Sequence, residues 1–222
     1  MESVKSINKS AASSGHTIEQ KPVYDFFKRI FDIICSSVAL IILSPVFLIL
    51  AIAIKTTSEG PVFFAHKRVG KDGKTLNIYK FRSMVTNAEE LIKQFTPEQK
   101  AEYEKNFKLE NDPRVTKVGK FMRKTSLDEL PQLLNILKGD ISIVGPRPVM
   151  EVETEIYGNY RDMLLSVKPG LTGFWAANGR SCTTYTRRRA MEICYVKNRS
   201  VCFDLKIILK TITSVFKGEG AV

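Results

Sequence analysis

Between Ile33 and Ile54 the chain runs 22 residues without a charged side chain, and no other feature restricts its fold as strongly. A helix of about 20 apolar residues matches the hydrocarbon core of a bilayer, so this run is read as a membrane segment. It is longer than the ~7–15-residue apolar core of a signal peptide, and Lys55-Thr56-Thr57 follows it where a small-x-small cleavage site would stand. The segment is therefore expected to persist in the mature protein.

Ser44-Pro45 lies at the midpoint of the run. Proline removes a backbone donor and crowds the preceding turn, so a kink is expected there, and a bent spanning helix would satisfy that feature alone. The flanking charges argue for another path. Lys21, Lys28 and Arg29 precede the run, while Lys55, Lys67, Arg68, Lys71 and Lys74 follow it. Both flanks thus carry the sign of the cytoplasmic side, and a segment with both ends inside must turn back. The expectation is a re-entrant helix-break-helix over residues 23–57, with the break at Ser44 and Pro45.

Residues 1–22, rich in Ser, Ala, Lys and Asn, read as a flexible tail. Tyr24, Phe26, Phe27, Ile30 and Phe31, interleaved with Lys28 and Arg29, read as an interfacial lead-in. Beyond the membrane segment, Pro61 to Phe64 and Leu76 to Phe81 resemble strands joined by Gly70-Lys71-Asp72-Gly73, a hairpin signal. Residues 88–112 carry seven acidic and four basic side chains and read as an exposed helix and loop. Ser126 to Leu137 is predicted to be a helix, with Leu130, Leu133, Leu134 and Leu137 on one stripe and Gly139 past its end. Near the C-terminus Leu205, Ile208, Leu209, Ile212, Val215 and Phe216 recur at helical spacing opposite Lys206, Lys210, Thr213 and Lys217. Either a core-packing helix or one lying in the membrane plane fits that pattern. The fold class expected is α+β: a monotopic membrane protein with a re-entrant helix, amphipathic interfacial helices and a small β-hairpin. Residues 58–222 would form its catalytic domain at the cytoplasmic face.

The formal net charge of +11 admits three partners: nucleic acid, anionic lipid or phosphate-bearing substrates. Two histidines, His16 and His66, leave little material for zinc sites or histidine-activated nucleophiles. Cys35, Cys182, Cys194 and Cys202 form no C-x-x-C pair and read as reduced thiols. Neither G-x-x-x-x-G-K nor G-x-G-x-x-G is present, which removes the main support for kinase-like and dinucleotide-binding readings.

The densest chemical signal is Arg123-Lys124-Thr125-Ser126-Leu127-Asp128-Glu129-Leu130-Pro131-Gln132-Leu133. Ser126 and Glu129 have capping-box spacing, which puts Asp128 and Glu129 at a helix N-terminus. Free N–H groups there favour an ionised carboxylate, available as nucleophile or metal ligand. Acidic residues at a helix start also serve simply as caps. Lys80-Phe81-Arg82 could answer the phosphate demand of such a site, and Arg147 is held stiffly between Pro146 and Pro148, which suits bidentate phosphate recognition.

Taken together these residues resemble the bacterial sugar transferases, also called monotopic phosphoglycosyl transferases or polyprenyl-phosphate hexose-1-phosphate transferases. The resemblance runs from about Lys28 to Val222. It rests on Ser44-Pro45, Tyr79-Lys80-Phe81-Arg82-Ser83-Met84, Asn111-Asp112-Pro113-Arg114 and the Ser126 to Leu133 motif. Gly139 to Pro148, Lys168-Pro169-Gly170-Leu171-Thr172-Gly173 and Asn178-Gly179-Arg180 follow in the same order. The resemblance implies that Asp128 attacks the β-phosphate of a UDP-sugar, releasing UMP, and that polyprenyl (undecaprenyl) phosphate then takes the sugar phosphate from the aspartate. It further implies Glu129 as the ligand of Mg2+, and Lys80, Arg123 and Arg147 as phosphate-binding or network residues. The implied setting is the cytoplasmic face of the bacterial inner membrane, among lipids, with a homo-oligomer left open. Trp175-Ala176 and Met191-Glu192 depart from the Trp-Gln and Leu-Asp common in relatives, which bears on sugar recognition. The extra N-terminal spans of larger members have no counterpart in this sequence, which reads as the catalytic unit.

Two other classes compete. A membrane-tethered nucleic-acid binder would use Arg187-Arg188-Arg189 and the net charge, but that run reads equally as a headgroup contact or a solvated face, and no nucleic acid is expected. An inactive scaffold for glycan assembly is disfavoured by the intact Asp128-Glu129 pair.

Overall fold

A computed structural model describes residues 19–106, 109, 111–179 and 184–216. Most of the expected tail (1–18), Arg180, Cys182 and Lys217 lie outside the described residues. The architecture is α+β: one long apolar helix set against a body of short helices and two small sheets.

Helix α1, Pro22–Thr57, is the only described helix long and apolar enough to cross a membrane. Pro22 starts it, where a missing N–H costs nothing, and Asp25 and Lys55 suit its two ends. Helical structure continues through Ser44-Pro45, so the expected break is not an interruption of the helix. The physical reason is local. Pro45 cannot donate to the Ile41 carbonyl, and the Ser44 hydroxyl donates to it instead at 2.8 Å.

A single stripe of α1 faces the body. Asp32, Ser36, Leu50 and Ile54 are buried, and Ala39, Leu40, Leu43, Val46 and Phe47 pack between them. The opposite side, including Ile41, Ile42, Leu48 and Ile49, is exposed. Polar clasps fix the N-terminal half. Asp204 accepts from Lys28 Nζ at 2.6 Å and Tyr24 Oη at 2.7 Å. Arg29 donates to the carbonyls of Ile136 and Leu137 at 2.6 and 2.7 Å. Asp32 Oδ1 accepts from Ser142 Oγ and the Ile143 N–H at 3.1 and 3.0 Å.

Strands β1 (Phe63–Val69) and β2 (Thr75–Phe81) form the hairpin, in antiparallel register with Phe64 opposite Lys80 and Arg68 opposite Leu76. The turn needs left-handed backbone at Asp72 and Gly73, residue types that tolerate it. Helices α2 (Ala88–Lys93) and α3 (Pro97–Asn106) follow. This polar stretch is not wholly exposed: Phe95 and Leu109 are buried, and the Arg114 guanidinium, bound to both oxygens of Asp112, lies over the Phe95 and Tyr103 rings at 5.2 and 5.1 Å.

The predicted helix over Ser126–Leu137 divides. Helix α4 (Lys117–Thr125) ends at Ser126, whose left-handed φ of 57° makes it a C-terminal cap and not an N-cap. A 3₁₀ turn (Leu127–Glu129) comes next, then α5 (Gln132–Lys138), closed by Gly139 at φ 85°. The capping box does not form, because its serine is committed to the preceding helix.

A second sheet, unforeseen in the sequence, pairs β3 (Ser142–Val144) in parallel with β4 (Gly170–Thr172). Gly145 and Gly170 press backbone on backbone there, and a side chain at either would strike the other strand. Helices α6 (Glu151–Thr154) and α7 (Arg161–Leu165) lead to α8 (Tyr185–Asn198) and α9 (Val201–Phe216). In α9 the buried side chains are Asp204, Ile207 and Ser214, whereas Val201, Leu205, Leu209 and Ile212 face outward. Of the predicted apolar stripe, Leu205, Leu209 and Ile212 therefore do not pack on the core, Ile208 does, and the side chains of Val215 and Phe216 lie outside the described residues.

Candidate active site

Three elements bring the sequence-marked residues together. The left-handed turn at Ser126 reverses the chain between α4 and α5 and sets Leu127 inward, against the cluster of Leu50, Ile54, Phe81 and Met122. That inward anchor carries Asp128 into the body, only 8% exposed, beside the end of β2. Lys80 Nζ stands 3.7 Å from Asp128 Oδ2 and donates to Glu129 Oε1 at 2.8 Å. The cation thus bridges two consecutive carboxylates.

A buried amide fixes the strand to the helix behind this group. Asn135 of α5 accepts from the Tyr79 N–H at 2.9 Å and donates to the Asn77 carbonyl at 2.8 Å and to Asp140 at 3.0 Å. Lys80 is the residue after Tyr79, so its height relative to Asp128 is set by the same clasp.

Burial pushes the Asp128 carboxyl above the usual aspartate range, and Glu129 adds to this, while Lys80 and then Arg123 act against it. The helix-end expectation of an easily ionised aspartate is therefore corrected: desolvation dominates over the backbone N–H groups. Arg123 donates from Nε to Ser83 Oγ at 2.9 Å. Burial lowers its basicity, and attraction to Asp128 and Asp112 opposes that. Arg123 therefore acts on Asp128 through space.

Arg82 is drawn elsewhere. Strand β2 ends at Phe81, so the alternation that would align Arg82 with Lys80 stops, and its buried guanidinium donates to the carbonyls of Glu59 and Ser58 behind α1. Ser44 and Pro45 stand on the exposed side of α1. Arg147 is exposed between buried Pro146 and half-buried Pro148. Its N–H donates to Glu192 Oε1 at 3.2 Å, and its guanidinium lies 5.5 Å from the Trp175 ring centroid. Charge links Arg147 to the hairpin through His66, which also feels Lys80.

Other residues at this end were not legible as site residues. Glu192, fully buried and pushed up to about 7 by that burial, holds the Arg147 backbone. Arg188 is not part of a solvated arginine face: it is buried, paired with Glu153 at 3.4 Å and placed 4.8 Å from the Trp175 centroid. The one sequence signal for Glu192 was its place in the departure Met191-Glu192.

Among the described residues no group of three or more His, Cys, Asp or Glu side chains is set to hold a metal. Magnesium does not need one, since it keeps several waters and binds through one or two carboxylates and substrate phosphates. Glu129, more open than Asp128, fits that donor set.

A family described as "Bacterial sugar transferase" matches residues 23–218. The chain is 49% identical over 199 residues to an undecaprenyl-phosphate galactose phosphotransferase of Salmonella typhimurium, covering 88% of this chain and 42% of that protein. It is 42% identical to the exopolysaccharide production protein ExoY of Rhizobium meliloti, across 98% of this chain and 100% of the relative. An Escherichia coli UDP-glucose:undecaprenyl-phosphate glucose-1-phosphate transferase is 40% identical over 217 residues, with 44% of its length covered. The chain thus spans under half of two of these relatives and the whole of the other. With a family match across nearly every described element, and a buried carboxylate between fixed cations at its centre, the chain belongs to the bacterial sugar transferase family.

Proposed function

We propose that this protein transfers a sugar 1-phosphate from a UDP-sugar to polyprenyl phosphate, at the cytoplasmic face of the bacterial inner membrane. The observation that carries the reading is Asp128: enclosed, yet 3.7 Å from the Lys80 ammonium and within the field of Arg123. An Asp128 oxygen attacks the β-phosphorus, the bond from that phosphorus to the bridging oxygen breaks, and UMP leaves with the electron pair. An oxygen of polyprenyl phosphate then attacks the same phosphorus, and Asp128 departs as carboxylate. Lys80 and Arg123 offset charge as it builds on the phosphoryl oxygens in both displacements. Mg2+, when bound, supplies further charge compensation to the diphosphate, and Glu129 is the residue to hold it.

The placement of α1 supports a monotopic arrangement. The body touches the helix from Asp32 to Ile54, a length of about 33 Å at 1.5 Å per residue, comparable to a hydrocarbon core. A body packed along that whole length is accommodated more readily by a helix held at the interface than by one that crosses. The outward apolar faces of α1 and α9 are the surfaces that would meet lipid.

The test is UMP release from a panel of UDP-sugars by the full chain in nanodiscs containing polyprenyl phosphate. Asp128→Asn should abolish release, with a loss of about 10³-fold or more. Radiolabel from the sugar should remain on wild-type enzyme when the lipid acceptor is omitted. Ternary-complex kinetics with no trapped adduct would defeat the covalent route.

A further inference from the structure

His66 and Arg68 share a hairpin face with Lys80. The register sets Phe64 against Lys80, His66 against Ile78 and Arg68 against Leu76, and every second side chain along a strand points the same way. Arg68 turns back along β1, so that its Nη2 lies 3.2 Å from His66 Nδ1. The His66 level is only two residues, roughly 7 Å of strand, from the Lys80 level. A main-chain hydrogen bond of 2.8 Å, from Val69 to Val149, lays the Pro146-Arg147-Pro148 turn alongside. Arg188 stands behind, near the same indole that Arg147 overhangs.

Positive charge is in excess here. Burial and then Arg147 lower the Arg68 guanidinium to about 10, and the His66 imidazole is held down to about 4 by burial, Arg68, Lys80 and Arg147. His66 is therefore neutral near pH 7 and can accept from Arg68. Glu153 pairs with Arg188 and accepts from the Met150 N–H while its charge partly offsets the lowering at Arg68 and His66, and Glu192 Oε1 accepts from the Arg147 N–H. Among the described residues, Arg68 Nη1 and Arg188 Nε and Nη2 are buried donors with no acceptor, as are Arg82 Nε and Arg199 Nε elsewhere, and Glu192 Oε2 at this place is a buried acceptor with no donor. Three orphaned guanidinium atoms stand against one orphaned oxygen of a carboxyl that burial pushes up to about 7, so an anionic acceptor would still satisfy donors at this place.

We propose that Arg68 and Arg147, backed by Arg188, form a subsite for a phosphomonoester dianion, adjoining the Lys80 and Asp128 centre along the hairpin face. Its use rests on the reaction proposed above. UMP and polyprenyl phosphate are both phosphomonoesters. In-line displacement at one phosphorus brings the second attacker to the position that the first leaving group vacated, so one subsite serves both in turn. The additions to the expected site are Arg68 and Arg188.

Trp175 is the only tryptophan in the chain, so its emission reports on this place independently of turnover. The full chain in nanodiscs is titrated with UMP and, separately, with a short-chain polyprenyl phosphate. A saturable change in emission is expected with each, weakened tenfold or more by Arg68→Gln and partly recovered by Arg68→Lys. If Arg68→Gln does not fold, as judged by circular dichroism, Arg68→Lys alone should still weaken both ligands at least threefold, because a point charge replaces a fork of donors. Wild-type affinity for both ligands in the folded variant overturns the subsite. Weakening for one ligand alone overturns the shared use and keeps the subsite for that ligand. An enzyme whose emission responds to UMP but which turns over no UDP-sugar sinks the reaction and not the subsite.

Discussion

At Asp128, Arg123 and Glu192, burial is set against named charged or hydrogen-bonded neighbours. Lys80 is the group that most opposes the effect of burial on Asp128, and it also holds Glu129. Lys80→Ala should cut UMP release by about 10²–10³-fold, the usual size of losing one fixed transition-state charge; near-wild-type rates would remove it from the site. Glu192 gives the cleaner pH signature. Its folded value is about 7 against an ordinary 4.5, so ionising it in the fold costs stability, and that cost grows as pH rises between those values. Glu192→Gln keeps an acceptor for the Arg147 N–H and removes the charge. Wild type should therefore lose unfolding temperature from pH 4.5 to 7 relative to Glu192→Gln, and parallel curves would refute the assignment. The sequence marked Lys80, Asp128 and Glu129 but not the burial of Glu192, which stood out only as a departure from a common pattern.

Legibility at the level of elements followed chemistry that one residue type decides alone. The apolar run required a long helix, Gly70-Lys71-Asp72-Gly73 required a turn, and both formed. Ser126 shows the limit. Serine suits either end of a helix, and which end it caps depended on α4, whose pattern of Val118, Met122 and basic residues did not stand out. Arg82 misled for a similar reason, since where β2 stops is set by its pairing to β1 and not by its own residues. The three-residue strands β3 and β4 are too short to show alternation, and are held by glycine packing. The Asn135 clasp between β2 and α5 was equally hidden. Asn135→Ala would strand the Tyr79 N–H and the Asn77 carbonyl, costing about 2–6 kcal/mol at 1–3 kcal/mol per buried orphan. Calorimetry should show a fall of about 2–4 °C for each kcal/mol; an unchanged midpoint would mean that water replaces the amide.

Across the whole molecule, the membrane relation depends on which residues of α1 the body covers. The body grips α1 at Lys28, Arg29, Asp32, Leu50 and Ile54, and the monotopic arrangement proposed above predicts that both ends of the helix lie on one side. In a variant lacking other cysteines, Gln20→Cys and Glu59→Cys should both react with an impermeant thiol reagent applied to inverted membrane vesicles. Protection of one but not the other would mean that the helix crosses. Glu59 is the better probe than Gly60, where φ is 107° and a side chain would collide with Thr86.

The Lys28 and Asp204 ion pair, joined by Tyr24, closes a loop of 176 residues between the first turns of α1 and those of α9. During synthesis at about 5–20 residues per second, the helix must wait roughly 9–35 s for that partner to emerge. Throughout that interval Lys28 lacks its Asp204 counterpart, and lipid headgroups or the insertion machinery must shelter it. Ribosome pausing or truncation before Asp204 would therefore leave a nascent chain attached to the membrane but unable to finish its fold.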